Sequence, residues 1–315
     1  MDLLSSILSL LKMSGSLYFR TSFNSPWGVE VPLHNDVCRF HYVHRGQCYI
    51  RLNPQENPVC LKQGDLVLIT RGARHLLCDP QESDIRSLDT LVEDVGFSGK
   101  GALLVGDPES GHETQLICGH FAFDPGATHI LLESLPALIH IKDYGSAAPD
   151  WLDNSLNMIS AELGSGKLGG DLIALKLSEI ICTQAIRHYI ETDGKSQPGL
   201  AGFTDSQIRK ALIALHKNPE AHWSVEELAK LAGMSRTSFS NRFNELIGNT
   251  PLNYLIDWRM QLARQLLLDT NTAIIDIALK TGYQSEAAFG RIFKRYFNMP
   301  PATFRRHANA VSNKQ

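Results

Sequence analysis

Residues 225–254, VEELAKLAGMSRTSFSNRFNELIGNTPLNY, are matched further along by residues 274–304, IIDIALKTGYQSEAAFGRIFKRYFNMPPATF. Ala229, Gly233, Phe239, Phe243, Pro251 and Tyr254 recur as Ala278, Gly282, Phe289, Phe293, Pro301 and Phe304, at an offset of 49 that becomes 50 after one inserted residue. In each copy an alanine near the end of one amphipathic stretch is followed four residues later by a glycine, and Ser235 or Ser285 then opens a second stretch. A small alanine lets two helices approach, glycine accepts the positive φ of a tight turn, and serine takes a hydrogen bond from the first N–H groups of the next helix. The pattern predicts helix, turn, helix, twice.

The phenylalanine pairs stand at i and i+4, so each pair marks the buried face of its second helix. The opposite face then carries Arg236, Thr237, Ser240, Asn241 and Asn244 in the first copy, and Glu286, Ala287, Gly290, Arg291 and Lys294 in the second. Short or polar side chains near a helix N-terminus suit a helix laid in the major groove. There an arginine pairs with guanine O6/N7, an asparagine with adenine N6/N7, and a glutamate accepts from cytosine N4. Solvated helix surface is the competing interpretation for any one of these residues. Between the copies, TPLNYLIDWRMQLARQLLLD (residues 250–269) has Thr250 as cap and Pro251 in the first turn, and predicts one long connecting helix.

Charge divides the chain the same way. The net charge of −3 is the balance of +6 from Asp205 onward, where 15 Lys+Arg meet 9 Asp+Glu, and −9 over the first 204 residues. A basic part joined to an acidic part implies that only the former approaches a polyanion. The 315 residues favour two domains, and 43% hydrophobic with 20% charged residues excludes wholesale disorder. No apolar run reaches the roughly 20 residues that span a bilayer. The N-terminal MDLLSSILSLLKMSG reads as a short amphipathic helix rather than a leader. Cys38, Cys48, Cys60, Cys78, Cys118 and Cys182 contain no CxxC pair, which suits a reducing cytoplasm without a membrane partner.

The segments WSVEELAKLAGMSRTSF, WRMQLARQLL and IALKTGYQSEAAFGRIFKRYFNMPPATFR, within Asp205 to Arg306, resemble the AraC/XylS family of transcription regulators. The resemblance implies a seven-helix domain whose two helix-turn-helix units enter successive major-groove segments. By motif matching, family base contacts fall on Arg236, Thr237, Ser240 and Asn241, and on Glu286, Ala287, Gly290 and Arg291. The small Ala287 and Gly290 imply less direct sequence information in the second unit.

From Tyr18 to about Phe123 the pattern changes to short strands between Gly-, Pro- and Asn-rich turns, as in CRFHYVHRGQCYIRL. Arg39, His41 and Val43 alternate with Phe40, Tyr42 and His44, the two-residue period of a half-buried strand. GDLVLITRGARH, with Gly64, Gly72 and His75, and the turn around Gly46 resemble the two motif stretches of cupins. A cupin ligand position falls on His75, and Arg39 falls near the usual carboxylate, where a cation opposes a metal. A zinc site on His41, His75 and His34, with Cys118 as a further donor, remains open beside histidines that are hydrogen-bonded or line a small-molecule pocket. Cys118, in a barrel crowded with thiols, is the candidate redox residue, with inert burial as its alternative.

Residues 148–192 return to a helical period and predict a helical hairpin, a dimer interface in the resembling regulators. The fold class expected is α+β multidomain: a cupin-like β-barrel domain (1–147), the hairpin (148–192), a flexible linker (193–204), and an all-α double helix-turn-helix domain (205–308). These features point to a sequence-specific regulator and not an enzyme, binding double-stranded promoter DNA as a homodimer. Its effector is a small molecule, a metal or an oxidant, and no cofactor is required beyond a possible zinc. In this family activation, through RNA polymerase, is the commoner mode. The alternative is a metal-dependent cupin enzyme fused to a DNA-binding tail.

Overall fold

Turn glycines and alternating apolar residues break the chain between Ser14 and Ile141 into eleven strands among the described residues. They are β1 Ser14–Asn24, β2 Gly28–Val31, β3 Val37–Arg45, β4 Gln47–Arg51, β5 Val59–Lys62, β6 Leu66–Ile69, β7 His75–Cys78, β8 Ile85–Ser87, β9 Ala102–Val105, β10 Glu113–Ala122 and β11 Leu138–Ile141. The computed structural model describes residues 2–35, 37–79, 85–97, 102–107, 112–124, 126–143 and 167–312, with a few single residues between. One sheet runs β11-β6-β3-β10-β1-β9 and the other β5-β4-β7-β2-β8. Their pairs are antiparallel except β1 with β9 and β2 with β8. Phe23, Trp27, Val29, Val43, Ile50, Leu61, Val67, Leu77 and Leu116 form a buried core of this unit.

The alternation expected on β3 is only partly kept. Phe40 and Tyr42 are as buried as His41 and Val43, because Phe40 stacks on Phe121 of β10 and the strand is covered on both faces. The first limb of the expected hairpin, residues 151–163, lies largely outside the described residues. Its second limb is a single long helix, Gly170–Thr192.

The remaining helices begin with Leu3–Leu10 (α1), Leu88–Asp94 (α2) and Ile130–Glu133 (α3), which makes Gly170–Thr192 α4. Then follow α5 Ala201–Thr204, α6 Ile208–Lys217, α7 Val225–Ala232, α8 Arg236–Ile247, α9 Pro251–Asp269, α10 Ile274–Lys280, α11 Glu286–Phe297 and α12 Pro301–Ser312. The seven from α6 to α12 match the number implied by the family resemblance.

Two compact units divide the chain, and their boundaries differ from a simple cut near residue 200. One comprises Met13–Pro125 and Leu135–Tyr189, the other Met1–Lys12, Gly126–Ser134 and Ile190–Gln315. The helical unit thus takes two pieces from within the segment 1–147. The amphipathic α1 buries Leu3, Ile7, Leu8 and Leu10, and Lys12 pairs with Asp269. Residues 193–204 are not a free linker, since Leu200, Ala201 and Phe203 are buried and the Gly199 N–H donates to Leu246 O at 2.9 Å. Apolar anchors in a Gly-rich stretch hold it down.

Candidate nucleic-acid interface and barrel cavity

Each helix-turn-helix forms from its own local signals. Ser224 and Glu227 make a capping box at the start of α7, with the Glu227 N–H on Ser224 Oγ at 3.2 Å and the Ser224 N–H on Glu227 Oε2 at 2.8 Å. Gly233 ends that helix at φ +67°, and Ser235 then caps α8 by accepting from the Ser238 N–H at 3.3 Å. In the second copy Gly282 makes the turn at φ +79° and Ser285 accepts from the Ala288 N–H at 3.2 Å. A Cβ on Gly282 would lie 2.4 Å from Arg259 Nη2, whereas one on Gly233 would meet nothing within 4 Å. Arg259 is pinned there by donating to Pro219 O at 2.6 Å and Ala221 O at 2.8 Å.

Phe239, Phe243, Phe289 and Phe293 are fully buried, as their spacing predicts. Burying them turns the opposite faces of α8 and α11 outward. Arg236, Thr237, Asn241, Asn244, Glu286, Ala287, Arg291 and Lys294 are exposed, while Ser240 and Gly290 are half-buried. Arg236 is held by Glu226 at 3.0 Å, in a pair open to solvent. Arg291 and Lys294 have no ion-pair partner among the described residues.

The barrel unit presents different chemistry. Antiparallel pairing sets Cys118 of β10 opposite His41 of β3, and the two touch, Sγ to Nδ1, at 3.0 Å. His41 Nε2 meets His75 Nε2 at 2.9 Å, and His75 Nδ1 meets Ala73 O at 2.8 Å. A carbonyl only accepts, so His75 donates through Nδ1 and its Nε2 accepts from the His41 Nε2–H. That leaves His41 Nδ1 to accept from the Cys118 thiol. Every proton in the chain has a place with both rings neutral, and burial holds His41 well below the ordinary histidine value and His75 down to about 4. Burial likewise pushes the Cys118 thiol up, so it is no thiolate. Beside this chain lies a cavity of about 230 Å³, walled largely by apolar side chains and including Arg39.

The family models agree with this geometry. A cupin model matches residues 2–191 and a helix-turn-helix domain model matches residues 228–307. An AraC-like transcription regulator of Streptomyces antibioticus is 31% identical over 98% of this chain and 99% of its own length. The chain belongs to the AraC family. The HTH-type transcriptional regulator AlkR of Acinetobacter baylyi is 29% identical over 98% of this chain and 100% of its own. Among solved structures, the DNA-binding domain of AdpA in complex with a target DNA is 31% identical, with a TM-score of 0.33, covering 36% of this chain and all of that one. By its two family models and its full-length relatives, this AraC-family chain is a DNA-binding transcription regulator with a cupin domain.

The donors expected for zinc do not assemble a site. His75 and Cys118 occupy opposite ring nitrogens of His41, so no single ion is ligated by all three. His34 lines the same cavity but is not bonded into that chain, and packs on His120 with ring centres 5.7 Å apart. The sequence did not reveal a second histidine chain, in the helical unit. His129 Nδ1 accepts from the Leu131 N–H at 3.1 Å, so its Nε2–H donates to Tyr254 Oη at 3.2 Å. Tyr254 donates to His216 Nε2 at 2.7 Å, His216 Nδ1 donates to Ser6 Oγ at 2.9 Å, and Ser6 donates to Leu3 O at 2.7 Å. Residues from α1, the 126–134 strap, α6 and α9 are thereby joined through buried neutral imidazoles. No local signal marks these partners, which stand up to 210 residues apart.

Proposed function

We propose that this regulator binds promoter DNA sequence-specifically through α8 and α11, under control of a signal received by its cupin unit. The observation that carries the assignment is the outward display of Arg236, Asn241, Glu286 and Arg291 on two second helices built around matched buried phenylalanines. A small molecule is the signal the barrel chemistry favours over a metal or an oxidant, because its histidines and Cys118 are already satisfied as neutral groups. The protein acts in the cytoplasm as a homodimer. Supporting that is the exposed apolar stripe of Leu172, Ile173 and Ile180 on α4. Its role is that of an activator in contact with RNA polymerase, the commoner mode in the family. Among the described residues, no helix is long and apolar enough to cross a membrane.

The test is a binding selection with the full chain against random duplexes, followed by footprinting on the enriched sequence. Enrichment of one bipartite operator is expected. Equal recovery of unrelated duplexes would remove the assignment.

A further inference from the structure

The cavity beside the His41 chain has one polar atom out of balance. Arg39 projects from β3 into it, and Nη1 of its guanidinium is buried without a hydrogen-bond partner. Guanidinium does not shed its proton in a protein, and although Arg39 as a whole is only half-buried, a buried N–H left without an acceptor is costly. The imidazoles of the wall do not relieve it: both ring nitrogens of His41 are engaged by Cys118 and His75, and neither His34 nor His120 accepts from Nη1. Asp89, at the exposed mouth, acts on Arg39 electrostatically, yet no ion pair joins the two. The rest of the wall is largely apolar, with Phe23, Val29, Val31 and Leu77 facing the space.

Resting on the assignment of the cupin unit as sensor, we propose that the cavity takes a small organic monocarboxylate, its apolar body among these side chains and its carboxylate on Nη1 of Arg39. A single unpartnered cation suits one negative charge, and a phosphate would leave most of its oxygens without donors. A sugar or other polyol is disfavoured because most of the surface of the wall is apolar and would strip its hydroxyl groups of water. The volume of about 230 Å³ is below the usual range for drug-sized ligands and limits the body to a short chain or a single ring. Asp89 weakens the site by competing for the same cation.

Calorimetric titration of the full chain with butyrate, hexanoate, octanoate, benzoate and phenylacetate, each beside its neutral amide, tests the assignment. At least one acid is expected to bind about tenfold tighter than its amide, the effect of one charge-assisted hydrogen bond. Arg39→Met should abolish that preference, Arg39→Lys should keep part of it, and Asp89→Asn should strengthen it. Folding of each variant is checked by its thermal transition, and Arg39→Lys with Asp89→Asn keep the test alive if Arg39→Met does not fold. No binding by any acid, or an acid preference that survives Arg39→Met, overturns the ligand class. Operator affinity with and without the bound acid separates the two assignments. An acid that binds through Arg39 without changing operator affinity leaves the ligand class standing and removes the sensor. An operator response to a neutral compound alone does the reverse.

Discussion

The two helix-turn-helix copies share a skeleton and differ on the face that skeleton exposes. Both use a serine cap, a left-handed turn glycine and a buried phenylalanine pair. The first copy places Arg236, Thr237, Asn241 and Asn244 outside, but Arg236 is tied to Glu226 and Arg242 to Asp205. The second copy exposes smaller side chains, Ala287 and the half-buried Gly290, next to Arg291 and Lys294, which have no ion-pair partner among the described residues. Residues that fold the copy are thus shared, and residues that face outward have diverged. Pieces from far away, α1 and the 126–134 strap, brace α6 and α9 beside the two copies. The second copy packs Phe304 on Phe293 and Phe297 and has Arg305 donating to Thr272 O at 2.6 Å, while its Tyr296 reaches Thr128 of the same strap and Gln284 meets His222 at 3.2 Å.

The largest effect should come from the shared skeleton. Phe243→Ala and Phe293→Ala each remove a fully buried ring and are expected to cost about 3 to 5 kcal/mol in urea unfolding. Equal, small losses would mean that the cores are less specifically packed than the ring contacts indicate.

On the outward faces the copies should separate. Arg291→Ala is expected to weaken operator binding by about 1 to 3 kcal/mol and to relax preference at one base pair, as measured by titration against point-substituted operators. Arg236→Ala should cost less, because wild-type Arg236 must first leave Glu226. A larger loss at Arg236 would reverse the ranking.

Acid should distinguish them as well. Burial pushes His216 down to about 3 from an ordinary value near 6.5. Below pH 6.5 the unfolded chain takes up a proton that the folded state refuses, so this stability is intact above pH 6.5 and drains as pH falls toward 3. At pH 5.5 the loss from this one residue is about 1.4 kcal/mol. Hydrogen exchange should therefore show α6 to α8 losing protection before α11 and α12, and an even loss across both copies would contradict it. The smallest effect is expected from Lys294→Ala, which should weaken all sequences alike and lower the salt slope of binding by about one.

Much of this was legible in the sequence because it is local. Cap, turn glycine and the i, i+4 phenylalanines lie within one window, so the helix boundaries and the outward residues follow from periodicity. The strap was not legible: α3 has four residues, and His129 meets Tyr254 across 125 positions with no pattern to announce it. Residues 193–204 looked flexible from their Gly and Pro content, while Leu200 and Phe203, which anchor them, are too few to make a period. On β3 the alternation put Arg39 and His41 on one side, and both do line the cavity. It could not show that each edge of the His41 ring is already occupied, because that depends on how β10 and the start of β7 are set against β3.

Chemical-interference footprinting of the full chain on its selected operator tests most directly whether both copies read DNA. Two protected major-groove segments about one helical turn apart, roughly 10 base pairs, are expected, with the segment assigned to α11 weakened in Arg291→Ala. Protection of one segment alone, or a footprint that Arg291→Ala leaves unchanged, would contradict a second reading helix.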